Sequence, residues 1–118
     1  MASPDEGLDG FLAGLKRCGC GPKIREGIIV FTVVAFGGAR AEVPTQTGVD
    51  VDELAMWPAA PPHWVHLPDE VQFEHTNRKP STITEWSKHS RQPQNWGNDQ
   101  EPAQAWIAHV RGMLEEAV

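Results

Sequence analysis

Tyrosine is absent, cysteine occurs only twice, and no stretch of the sequence gathers lysine and arginine. Each shortage removes a class of protein. Cys18 and Cys20 lie one residue apart, too close to staple two distant segments, so a secreted disulfide scaffold is not expected. Their spacing is also narrower than that of common zinc motifs, and no second cysteine pair exists, so neither a metal nor another cofactor is expected. With 10 basic against 16 acidic side chains and a formal net charge of −6, the chain lacks the clustered cations that hold phosphates. Nucleic acid is therefore not an expected partner. The longest apolar run, Gly27–Phe36, is too short to cross a bilayer, and the acidic start Met1-Ala2-Ser3-Pro4-Asp5-Glu6 lacks the pattern of a signal peptide. No membrane association is expected, and the cytoplasm is the default location.

The 118 residues have room for one domain, residues 1–118, built on one core. Ten prolines, clustered from Pro44 to Pro102, predict a loop-rich second half. Five tryptophans are a large apolar payload whose indole N–H groups want partners, which predicts several of them at the core's edge or at an interface.

Ser3-Pro4-Asp5-Glu6 reads as a helix start, with Ser3 as cap and Pro4 in the first helical position. Leu8, Phe11, Leu12 and Leu15 then recur at helical spacing, Lys16 and Arg17 suit the negative end, and Gly19 suits a left-handed stop. Gly10 and Gly14 weaken this helix modestly. Gly27–Phe36, apolar on both faces and β-branched, predicts an interior strand covered on both sides. Gly37-Gly38 then offers a turn into a strand at Ala39–Val43. Val49, Val51 and Leu54 alternate with acids as a half-exposed strand, and Trp64–Leu67 is a further short one stopped by Pro68. Residues 68–100 show no sustained period and read as a long packed loop. Glu101-Pro102 starts a closing helix whose face carries Trp106, Val110, Met113 and Leu114. The expected fold class is α+β: an antiparallel meander of about four strands with an N-terminal and a C-terminal helix.

The segment Met56-Trp57-Pro58-Ala59-Ala60-Pro61-Pro62-His63-Trp64-Val65 resembles the proline-rich turn between two strands of ubiquitin-conjugating enzymes. His75-Thr76-Asn77 is similar to their His-Pro-Asn motif, with Thr76 for the proline, and Trp96 with the helix after it is similar to the elements that follow their active site. Trp86-Ser87-Lys88-His89 followed by Trp96 resembles a bacterial branch of the family, prokaryotic family E. Members of that branch sit in gene clusters with ubiquitin-like proteins, activating enzymes and deubiquitinase-like peptidases. The likeness runs from the central strand to the end and departs at one place. The family's cysteine stands about eight residues after the asparagine and about eight before the tryptophan. Here those counts reach Glu85 and Lys88, and nothing from Glu85 to His89 is a cysteine.

The resemblance implies a role in a bacterial ubiquitin-like modification or antiphage system, with a ubiquitin-like protein and its activating enzyme as partners. Three readings are open. The chain is a cysteine-less binding module, an enzyme that transfers a ubiquitin-like tail through His89, or a small structural partner protein without a site. In the enzymatic reading His89 is nucleophile or base, with Glu85 or another acid as its partner, Asn77 donates its amide to an oxyanion, and His75 supports the site. Their bland counterparts are a histidine that orders the loop and an asparagine that holds a turn. The binding surface is placed on Trp57, Pro58, Pro61 and Pro62 by the resemblance, since that side of the related enzymes meets partner proteins. Trp57 is then an exposed anchor, against a core plug as the alternative. Trp64, on a strand, is expected in the core.

Overall fold

A computed structural model describes residues 6–74, 77–97 and 101–118. The expected cap at Ser3 and Pro4 lies outside the described residues. Helix α1 spans Gly7–Arg17, and its expected stripe forms: Phe11 and Leu15 are fully buried, with Leu8 and Leu12 packed against the same core. Gly14 has a packing reason. A Cβ there would lie 2.6 Å from the Cβ of Ala103, so the missing side chain lets the closing helix approach α1.

Six strands form one antiparallel sheet: β1 Lys23–Arg25, β2 Ile28–Val34, β3 Pro44–Asp50, β4 Trp64–Pro68, β5 Arg78–Pro80 and β6 Trp86–Ser90. Helix α2, Pro102–Glu115, closes the chain. The spatial order is β1-β2-β3-β4-β6-β5, so the first four strands meander in chain order and β6 inserts between β4 and β5.

The α+β class with a helix at each end stands, but the strand number is six and not four. The extra members are β1 and β5, three exposed residues each, and β6, which lies inside the stretch expected to be loop. They pair through backbone N–H and C=O groups, which every residue carries, so no apolar alternation marks them. Two neighbouring expectations also shift. The partner of β2 is Pro44–Asp50, not Ala39–Val43, and the Val49–Leu54 segment divides into the end of β3 and a 3-10 turn at Val51–Leu54.

Strand β2 is interior and covered on both faces, as its apolar run predicts. Ile29, Phe31 and Val33 face the core shared with Val49, Val65, Leu67 and the two helices. Ile28 and Val30 face the other way, against Ile83 and Trp86. Residues 81–85 thus form a strap over that second face. Thr82 Oγ1 donates to the Glu26 carbonyl at 2.9 Å, and Ser81 Oγ lies 2.8 Å from His66 Nδ1. His66 Nε2 donates at 2.8 Å to Asp50 Oδ2, and the Ile83 amide donates to Ser81 Oγ. This chain of polar groups, buried at His66 and half-buried at Ser81 and Asp50, binds strap to sheet with every member engaged. Gly48 sits beneath, where a Cβ would come within 2.4 Å of Ile28 Cγ2. Among the described residues no helix is long and apolar enough to cross a membrane.

Candidate functional site

The proline-rich turn folds inward at its first residue. Trp57 is 2% exposed, edge-on to Phe11 at 4.8 Å between ring centroids and tilted against Trp96 at 5.4 Å. The exposed anchor expected at Trp57 is therefore corrected: next to α1, the apolar area of an indole gains more from the core than from solvent. Trp64 moves the other way. Its neighbours Val65 and Leu67 point into the core, so strand alternation turns Trp64 to the opposite face, where it is half-buried and not the core plug expected. Pro58 and Pro61 are half-buried and Pro62 is buried.

Behind Trp57 the turn is tied to the segment before α2. Trp96 Nε1 donates to the Pro58 carbonyl at 2.8 Å, a bond that joins residues 38 positions apart. Between this junction and α2 lies a groove of about 580 Å³, lined by Pro58, Ala59, Pro93, Trp96, Ala105 and Ala108, with Glu6 and His109 also at its wall. Its surface is more apolar than polar, with Gln94 and Asn95 among its polar groups, and its prolines, alanines and Trp96 are short or rigid, so they lose little rotamer entropy to an occupant. His109 Nε2 is 3.2 Å from the Arg91 carbonyl, and burial lowers its pKa below the usual imidazole value. It stands in the groove as a neutral, hydrogen-bonding group near pH 7. Ala105 and Ala108 of α2 carry no mark of this role in the sequence. Their part in a groove depends on a partner segment some ten residues earlier and another near residue 58, a juxtaposition with no local signal.

The residues proposed for chemistry do not form an open site. His75 lies outside the described residues. Asn77 is exposed just before β5, and its carbonyl accepts from the Ser90 amide at 2.9 Å. His89 is on β6, not in a loop, 1% exposed, with its ring 5.0 Å from that of Phe73. Burial lowers its pKa to about 4, with Arg78 beside it adding to the effect and Asp69 opposing it. Among the described residues Asp69 is a carboxylate whose charge favours the protonated ring of His89. Glu85, the partner considered from spacing, is an exposed turn residue with a φ of 65°. A ring closed off in this way has no path to a carbonyl arriving from solvent.

Cys18 and Cys20 are half-buried after α1, in a depression of about 720 Å³ shared with Thr32, Val34 and Arg111. Burial pushes both thiols above their usual value, Glu101 adding at Cys18 and Cys18 adding at Cys20. Strands β3 and β4 separate their neighbour β2 from β6, so neither thiol lies beside His89. Among the described residues no group of His, Cys, Asp or Glu is placed to hold a metal.

Scans against family models, curated proteins and solved structures found no match.

Proposed function

We propose that this chain is a cysteine-less, ubiquitin-conjugating-like binding module of a bacterial ubiquitin-like modification system. It holds a ubiquitin-like protein or its activating enzyme and does not carry the ubiquitin-like tail itself. The observation that carries this reading is the groove between the proline turn, Trp96 and α2. It is held by the Trp96–Pro58 bond, is more apolar than polar, and includes the proline turn that resembles the conjugating enzymes' partner-facing side. The order of helix, meander with the proline turn before its fourth strand, late tryptophan and helix is in keeping with it. The burial of His89 and its low pKa weigh against transfer through that residue, and the raised thiols of Cys18 and Cys20 weigh against a displaced cysteine.

The test pairs capture with mass measurement. Tagged protein is incubated with a ubiquitin-like protein and activating enzyme encoded beside its gene, with and without ATP. Capture of either component without a covalent adduct is the expected result. Ala108→Arg, which fills the groove from an exposed helix position, should abolish capture while the melting temperature holds. An adduct lost in His89→Ala would establish the enzymatic reading instead. Wild-type protein that captures neither component would leave a small structural partner protein.

A further inference from the structure

We infer that Trp64, Lys79 and Lys88 form a docking site for a short acidic peptide of a partner protein, on the face of the sheet turned away from the helices. Lys79 and Lys88 are directly opposed across β5 and β6. Like charges in that position destabilise an antiparallel pair. In a chain with 16 acidic side chains, no acid relieves them: among the described residues neither lysine takes part in an ion pair. Both ammonium groups instead sit over the ring of Trp64, at 5.5 and 5.0 Å from its centroid. The ring face offsets part of their repulsion, since its quadrupole attracts cations.

Glu53, whose carboxylate reaches the Trp64 backbone, is engaged there, accepting from the His63 amide at 2.9 Å and the Trp64 amide at 3.3 Å. Trp64 is half-buried and its Nε1 makes no hydrogen bond among the described residues, which leaves an indole N–H donor on the ring that carries the two cations. An apolar ring, an indole donor and two uncompensated ammonium groups fit a peptide bearing two carboxylates around an apolar side chain. A nucleic acid fits less well. Two lysines neutralise too few phosphates to overcome repulsion from a chain of net charge −6. The surface is separate from the groove beside α2, so the two proposals stand or fall independently.

The test is an NMR titration of the isotope-labelled full chain. The probes are a capped peptide of glutamate and aspartate around a central leucine, its glutamine and asparagine counterpart, and a short oligothymidylate. The acidic peptide should shift the Trp64 indole N–H resonance, with an affinity that falls as salt is raised. Lys79→Gln and Lys88→Gln should each weaken it by about tenfold. Lys88→Glu should abolish binding without lowering the melting temperature, because the cross-strand pair becomes attractive. An unmoved Trp64 resonance, equal binding of the neutral peptide, affinity unchanged in the glutamine variants, or tighter binding of the oligothymidylate would each overturn the proposal.

Discussion

Trp57 stands among prolines, the composition of a rigid recognition turn, yet its ring is packed between Phe11 and Trp96. Trp57→Ala should accordingly cost about 3–5 kcal/mol and lower the melting temperature by roughly 10 °C or more in a calorimetric scan. Ala108→Arg, at the rim of the same groove, should leave that temperature in place. His89 gives the residue scale its pH dependence. Its folded pKa of about 4 lies below the ordinary 6.5, so between those values the unfolded chain binds the extra proton. Stability from this group is complete above about pH 6.5 and is lost as pH falls toward 4, on the order of 3 kcal/mol in all. Burial shifts His109 in the same direction. Urea unfolding of wild type and His89→Gln at pH 7 and pH 4.5 should show a smaller loss in the variant, which stays neutral throughout. Equal losses would mean that His89 is not held neutral by the fold. Trp106 departs from the expectation that tryptophans find a partner. It is fully buried, and its indole N–H has none among the described residues.

At the scale of elements, the carboxylate of Glu101 serves both helices. Oε2 accepts from the Gln104 amide at the start of α2, and Oε1 meets Arg17 in the last turn of α1 at 3.1 Å. The cap is the larger contribution, because the ion pair is half-exposed and screened. Glu101→Ala should lower stability by about 1 kcal/mol in chemical unfolding, whereas Glu101→Gln, which keeps an acceptor, should cost clearly less. Equal costs would shift the weight to the ion pair. The helices and β2 were legible because each carries its own periodic apolar pattern. In β6, by contrast, Trp86-Ser87-Lys88-His89-Ser90 places Ser87 and His89 on the core face, where a polar pattern reads as loop. Ser87 is accommodated there by donating to Asp69 Oδ1 at 2.6 Å, a partner 18 residues away.

For the whole molecule, the sheet ends in two short strands, β1 and β5, whose exposed side chains are mostly basic. An open edge presents unpaired amides and carbonyls to other chains, and lysine, arginine and proline there discourage edge-to-edge pairing. Replacing Lys23 and Arg25 together with valine should produce concentration-dependent association, visible in sedimentation or light scattering, with the monomer's helix content unchanged. A variant that stays monomeric would show that the edge needs no such guard. The sequence by itself determined two amphipathic helices, one interior strand, the α+β class and the absence of a cysteine from Glu85 to His89. All of these depend on neighbours within a turn or two, or on residue identity alone. Tertiary structure decided the sixfold sheet and its order, the strap at residues 81–85, the exchange of Trp57 and Trp64 between surface and core, and the closure of His89. It also assembled the Asp50–His66–Ser81 chain and the opposed lysines from segments far apart in sequence. Backbone pairing is indifferent to side-chain identity, and burial depends on what the rest of the chain brings alongside, so neither leaves a local trace in the sequence.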